Sequence, residues 1–339
     1  MSEWSLTPIA SPNQPTGIAR IAAISPRVRE RGQVEYFSME SRSALNREAS
    51  RRMYFAWTLN PYRGCEFGCK YCYARYTHEF MEMSDGLDFE RKIYAKTNAP
   101  ELVRAELRAA RDQGLPIALG TATDPYQPAE LQFRITRQIL EVIREFQGVT
   151  VSITTKSVLI LRDLDLLAAI AEKNRVSVHL TITTTDRRLA RLLEPKAPPP
   201  AKRLEAVQLL ATAGIRVGVN AMPILPGLTD SKASLEDLVR QAAEAGAKFV
   251  HGQLLFLMPS AMKQFMPFLE REFPRLVKRY RTLYAKSAYL RGEYKDQLAA
   301  LMGELRAQYG LESRSEEKAI CSRPVQLGLP YRAQDAIRP

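Results

Sequence analysis

Residues 149–184 read VTVSITTKSVLILRDLDLLAAIAEKNRVSVHLTITT. Residues 149–155 are a β-branched run of strand length, residues 158–172 carry helical spacing, and residues 175–184 form a second β-branched run. Two strands joined by a helix of this length predict a β-α-β unit with parallel strands. The same alternation extends outward. Upstream, residues 53–59 and 116–121 are short apolar strands, and residues 74–82, 99–113 and 129–146 read as helices. In the last of these, Leu131, Ile135, Ile139, Leu140 and Ile143 share one side. Downstream come a helix (204–213), a strand (215–222), a helix (235–245) and a strand (249–257). Six continuous apolar strands separated by helices predict an α/β fold whose parallel sheet is covered on both faces.

The first strand runs into Asn60-Pro61-Tyr62-Arg63-Gly64-Cys65-Glu66-Phe67-Gly68-Cys69-Lys70-Tyr71-Cys72-Tyr73, which holds three of the four cysteines of the chain. Thiolates this close together suit an iron–sulfur cluster or zinc. Three thiolates on a four-iron cluster leave one iron open to a ligand, whereas Cys65, Cys69, Cys72 and His78 together would make a closed zinc site. Gly64 and Gly68 suit a tight loop around a bulky group.

The spacing Cys-x3-Cys-x-Tyr-Cys just after a strand resembles the signature of the radical S-adenosylmethionine (SAM) superfamily. The wording from Asn60 to Cys65, with Thr123-Asp124-Pro125-Tyr126 further on, resembles the branch that contains spore photoproduct lyase and DNA repair photolyase-like proteins. The resemblance implies a partial (β/α)6 TIM-type barrel over residues 53–259, with a [4Fe–4S] cluster on Cys65, Cys69 and Cys72. SAM would chelate the open iron and be cleaved by one electron to a 5′-deoxyadenosyl radical that abstracts hydrogen from the substrate. A donor such as flavodoxin or ferredoxin would supply the electron.

In a barrel of parallel strands, reactive residues gather at the C-terminal strand ends. The resemblance then implies that Lys156 meets the SAM carboxylate, with Ser157 nearby. Thr123 and Asp124 lie near the methionyl or ribose end, and Thr183 and Asn220 near ribose hydroxyls. Ala221 and Met222 flank adenine, with a backbone contact from Tyr71. Tyr126 and Cys321 are the candidates for direct work on the substrate. In the resembled lyases a hydrogen-donating cysteine precedes the matching hydroxyl–Asp pair by two residues; here that position is Thr121, whose O–H bond is too strong for the task. His179 and His251 lie in apolar strands and read as core histidines.

The net charge is +12, which favours a polyanion such as DNA or another nucleic acid. Residues 1–52 read as an irregular, proline-punctuated basic arm, and residues 260–339 as a helical extension with an irregular end. In the extension, Tyr280, Tyr284, Tyr289 and Tyr294 stand among Lys and Arg. Such a mixture serves either base stacking with phosphate contact or packing of tyrosines on the barrel beneath a solvated cationic face. Four cysteines, three in one loop, do not make a disulfide framework. The first residues lack a basic start followed by an apolar run, and no stretch is apolar for long enough to cross a bilayer. A cytoplasmic radical SAM enzyme acting on a nucleic acid, without a membrane partner, is therefore the expectation. The alternative is one modifying a small molecule or peptide.

Overall fold

The computed structural model describes residues 15–48 and 53–313. Its strands are β1 (Arg27–Arg31), β2 (Val34–Met39), β3 (Leu45–Arg47), β4 (Trp57–Leu59), β5 (Tyr62–Arg63), β6 (Lys92–Lys96), β7 (Ile117–Leu119), β8 (Thr150–Thr155), β9 (Arg175–Thr181), β10 (Arg216–Ile224) and β11 (Val250–Leu254). A seven-stranded sheet runs in the order β11-β10-β9-β8-β7-β4-β3. From β4 to β11 every neighbouring pair is parallel, and β3 closes one edge antiparallel to β4. Among the described residues no pairing joins β3 to β11, so the sheet is open. Ile153, Val178, Val217 and Val219 are fully buried, as strands covered on both faces require. Burying each such side chain contributes about 1.5–3 kcal/mol.

The six expected strands are all present, five with shorter bounds and the one expected over 215–222 running to Ile224. The strand expected over 53–59 occupies only Trp57–Leu59, and that expected over 249–257 only Val250–Leu254. Three expected helices are broken: the one over 74–82 is a 3-10 helix, Tyr73–Arg75, followed by a short α-helix, Tyr76–Glu79. Residues 129–146 form helices Glu130–Phe133 and Ile135–Arg144, separated by Arg134 in the left-handed region (φ 52°). The cause is Glu130: its buried carboxylate accepts from the backbone N–H of Thr136 (2.9 Å) and Arg137 (3.2 Å) and so caps the second helix. Residues 158–172 begin as a 3-10 helix, Val158–Asp163, and continue as the α-helix Leu164–Ala171.

The irregular N-terminal arm is corrected. Within it lie a helix, Gly17–Ile24, and strands β1, β2 and β3. β1, β2, β6 and β5 form a second sheet in that order. Val34, Tyr36 and Met39 are buried on β2, while every residue of β1 is exposed. Arginines on an exposed edge strand discourage further pairing. The expected residues 1–14 of the arm and the tail beyond 313 lie outside the described residues.

The C-terminal extension is helical as expected: Pro259–Glu272, Val277–Leu283 and Glu293–Gln308. Its Phe265, Phe268, Tyr280 and Tyr284 join one apolar cluster with Cys65, Phe67, Cys69 and Tyr71. Thus two of its tyrosines pack inward, and the extension roofs the cysteine loop. No helix among the described residues is long and apolar enough to cross a membrane.

Candidate active site

The cysteine loop is held by its backbone from several directions. The Cys65 N–H donates to the Phe89 carbonyl (2.8 Å), and the Lys70 N–H to the Leu193 carbonyl (2.9 Å). Gly64 O accepts from Thr123 Oγ1 (2.6 Å) and Gln127 Nε2 (3.1 Å). Gln127 Oε1 accepts from the Glu66 N–H (3.0 Å). Buried Arg75 donates to Cys69 O (3.0 Å) and pairs with Glu90 (3.3 Å). These bonds fix the thiol-bearing backbone before anything binds to it.

Gly64 has φ 80°, and a Cβ there would sit 2.7 Å from Lys92 O and 2.9 Å from Phe89 O. Backbone cannot retreat as a side chain can. Gly64→Ala is therefore expected to cost about 3 kcal/mol or more, from the left-handed conformation and the clash together. Chemical denaturation with parallel iron determination checks it; a variant as stable as the parent would remove the steric reading.

Cys65 and Cys69 are 9 % and 7 % exposed, and Cys72 is half-buried. Burial, then Asp124 and the other two cysteines, raises the Cys65 thiol well above its ordinary value. Burial pushes Cys69 up to about 12, against the pull of Lys156. Among the described residues no three His, Cys, Asp or Glu side chains converge as a single-ion site requires. His78 instead places Nε2 3.0 Å from Lys92 O and packs edge-on against Phe89. A multi-iron cluster needs no such convergence, because each thiolate binds its own iron.

Behind the loop lies a buried polar network. The Tyr71 hydroxyl donates to Glu194 and stands 3.0 Å from Thr183 Oγ1, which itself donates to Glu194 (2.8 Å). Glu194 pairs with Arg203 at 2.5 Å, both side chains 1 % exposed. Lys156 Nζ stands over the Tyr71 ring, 5.7 Å from its centroid. Burial opposes the Lys156 charge, but Cys69 and Glu194 outweigh it and hold the ammonium protonated. Likewise burial opposes the Glu194 charge, and Arg203 and Lys156 outweigh it.

Several residues expected near SAM make bonds that position neighbouring backbone. Asp124 accepts from Thr155 Oγ1 (2.6 Å), Tyr126 N (2.9 Å) and Lys156 N (2.7 Å). It ties the end of β8 to the loop after β7, and a ligand would have to compete with three bonds. Thr123 is spent on Gly64, and Ser157 Oγ caps the 3-10 helix at Leu159 N (3.2 Å). Ala221 is 1 % exposed and lies within the main core. Tyr126 is also 1 % exposed, with its hydroxyl beside Asp163. Cys321 lies outside the described residues. His179 and His251 pack against Phe249 within the sheet, as core histidines do.

Lys156 directly follows β8, and Asn220 lies within β10. Asn220 is 9 % exposed and its Oδ1 has no hydrogen-bond partner. Met222 is half-buried and its carbonyl accepts from Thr183 (3.3 Å). Glu194, Arg203 and Gln127 are the residues sequence reasoning missed. A signal for Arg203 exists: it shares the period of Val207 and Leu210 on the helix Pro200–Thr212, a place otherwise apolar.

A model of the radical SAM superfamily matches residues 59–251. The chain belongs to the radical SAM superfamily. It is 37 % identical over 297 residues to an uncharacterized protein of Mycobacterium tuberculosis, covering 87 % of each chain. An uncharacterized protein of Methanocaldococcus jannaschii is 29 % identical over 235 residues, 69 % of this chain and 82 % of the relative. Among solved structures, a spore photoproduct lyase mutant with bound AdoMet and dinucleoside spore photoproduct superposes with TM-score 0.63 at 15 % identity, covering 81 % of this chain and 79 % of that one. A spore photoproduct lyase complexed with dinucleoside spore photoproduct gives 0.60 at 15 % identity, covering 89 % and 85 %. At that identity the likeness is one of fold.

The superfamily implies SAM and an iron–sulfur cluster, and the residues fit both. Three soft thiols share a pinned loop whose two glycines leave no room for a Cβ. Beside them stands a half-buried cation, Lys156, over the Tyr71 ring, and β10 carries an unsatisfied buried acceptor, Asn220 Oδ1.

Proposed function

We propose that this radical SAM enzyme holds a [4Fe–4S] cluster on Cys65, Cys69 and Cys72 and acts on a nucleic acid, as a lyase or oxidoreductase. The six parallel strands are read as its partial barrel, with the helices after residue 259 as an extension. When bound, the cluster and SAM would supply one electron and a 5′-deoxyadenosyl radical for hydrogen abstraction. The chain's own residues hold and orient: Lys156 answers a carboxylate, Asn220 Oδ1 accepts from a hydroxyl, and the Tyr71–Glu194–Arg203 network keeps Lys156 charged and in place. Asp124, through the Lys156 N–H, fixes that lysine's backbone. Thiolates of this kind survive in reducing surroundings, which supports a cytoplasmic home and a flavodoxin- or ferredoxin-type donor.

The observations that carry the nucleic-acid reading are exposed rings near the cysteine loop and a cationic groove on the extension. Tyr73, Phe80 and Tyr289 are 40 %, 63 % and 53 % exposed, and Lys278, Arg281 and Lys286 line an open groove on the extension. Net charge is +12. Stacking rings with nearby cations are the means by which single strands are held.

The experiment is anaerobic SAM cleavage by the loaded enzyme with dithionite, scored as 5′-deoxyadenosine, with and without intact or ultraviolet-irradiated DNA. Stimulation by DNA is expected. If about six phosphates are contacted, DNA affinity falls roughly a thousandfold between 50 and 200 mM salt. Cleavage indifferent to DNA, with no salt-dependent binding, overturns the reading. One observation favours the alternative of a small-molecule or peptide substrate: Arg271, Arg279 and Arg281 already pair with Glu272, Asp230 and Glu270. On that alternative, reversing the charge of the extension leaves turnover intact.

A further inference from the structure

β5 and β6 set two cations side by side in the smaller sheet. Arg63 faces Tyr94 directly across the antiparallel pairing. Lys96 lies two residues beyond Tyr94, so all three side chains leave the sheet on one face. Lys96 is 5 % exposed. Among the described residues neither its ammonium nor the Arg63 guanidinium makes a hydrogen bond or an ion pair, and Arg63 Nε is fully buried without a partner. Other deeply buried cations are answered: Arg203 by Glu194, and Arg75 by Glu90 and Cys69 O. The two acids that act on Tyr94 are already engaged, Asp88 with Lys92 and Glu35 with Arg27. Burial, with Arg63 adding its repulsion, pulls the Lys96 ammonium down to about 7. Two adjacent cations without a counter-charge, one buried and the other half-buried, form a costly arrangement for a fold to keep.

The position of the pair suggests what repays that cost. Arg63 is two residues before Cys65 and within electrostatic reach of Tyr76. The Tyr76 ring lies 6.5 Å from Tyr73 at an interplanar angle of 24°, and Tyr73 follows the last cysteine, Cys72. Tyr73 lies 6.2 Å from Phe256, which stacks on Tyr289 at 4.1 Å. A strip of rings therefore runs from the cation pair, past the cysteine loop, to the extension.

We infer that Arg63 and Lys96 bind a phosphate group of the substrate, beside the ring strip on which a base would stack. A guanidinium fork next to an ammonium suits a tetrahedral polyanion better than a lone carboxylate, and the site stands apart from Lys156. The stacking half of this inference rests on the nucleic-acid reading; the anion half does not.

The test compares the full-length wild-type protein with Lys96→Met and Arg63→Gln, using inorganic phosphate, a nucleoside monophosphate and a short single-stranded oligonucleotide. Melting temperature and fluorescence anisotropy are the readouts, with iron content as the control. In the absence of anion, Lys96→Met should melt above wild type, because a buried unpaired charge has been replaced by an apolar chain of similar length. Phosphate should raise the melting temperature of wild type but not of Lys96→Met, and oligonucleotide affinity should fall about tenfold. Arg63→Gln, at unchanged iron content, should lose the same phosphate response. A Lys96→Met protein that melts lower than wild type and keeps the full phosphate response overturns the site. Equal oligonucleotide binding by wild type and both variants overturns it while sparing the nucleic-acid reading. A phosphate response lost on mutation, in a protein that binds no oligonucleotide, keeps the anion site and overturns the nucleic-acid reading.

Discussion

Cys69→Ala is expected to give a folded protein that retains no intact cluster and cleaves no measurable SAM. The thiol is 7 % exposed and carries the middle position of the loop. Its carbonyl is gripped by Arg75, its thiol lies within the electrostatic reach of Lys156, and none of those partners can replace a sulfur ligand. Losing an outer-shell partner of a metal site typically costs 10–100-fold in affinity or activity; losing a direct ligand should exceed about a hundredfold. The fold should hardly notice, since one sulfur atom leaves and the backbone bonds at Phe89, Leu193 and Gln127 remain. Iron and sulfide content, the visible spectrum and 5′-deoxyadenosine yield check the expectation, with melting temperature as the folding control. Full iron content together with parental SAM cleavage would show that the cluster sits elsewhere.

Arg203→Met is expected to destabilise the protein by about 3–5 kcal/mol, the range for leaving one partner of a buried pair uncompensated. Arg203 and Glu194 are each 1 % exposed at the side chain and meet at 2.5 Å. Arg203 also donates to Thr181 O (2.9 Å) and Pro198 O (2.7 Å), so its loss strands two carbonyls as well. The shift of the urea midpoint at unchanged slope measures the effect. Adding Glu194→Gln should recover a large part of it, because the orphaned charge disappears with its partner. A single-variant loss below about 1 kcal/mol would mean that Lys156 and Tyr71 suffice to hold Glu194. The pH dependence has a definite sign. Against the penalty of burial, Arg203 and Lys156 hold the Glu194 carboxyl below its ordinary 4.5. Its stabilisation is therefore present above that value and is lost as pH falls through the folded-state titration. Removing Arg203 should shrink this acid-side loss of stability. Because Glu194 anchors Tyr71 and Thr183, the variant should also weaken SAM binding at the site they border.

Much of this protein was legible in its sequence. The β-branched runs near 150, 175 and 216 correspond to β8, β9 and β10 within a few residues, because a strand buried on both faces must be apolar throughout. The spacing of Cys65, Cys69 and Cys72 reads as a candidate ligand set without reference to a fold. Other features were hidden. The second sheet was missed because β2 pairs with β6, more than fifty residues away, and the arginines of β1 disguise its edge as a loop. The break at Arg134 was missed because the periodicity on either side is helical and only the reach of Glu130 interrupts it.

What the sequence by itself determined was the βα alternation, the three-cysteine loop and the lysine at the end of β8. These depend on residues adjacent in the chain, where propensity, periodicity and ligand spacing act. The tertiary structure alone decided which polar residues are spent on the protein. Asp124, Thr123 and Ser157 are engaged with backbone, Glu194 and Arg203 with each other, and Arg63 and Lys96 with nothing among the described residues. A side chain's availability depends on which partners reach it and how much water is removed from around it, and both are set by contacts between segments far apart in sequence.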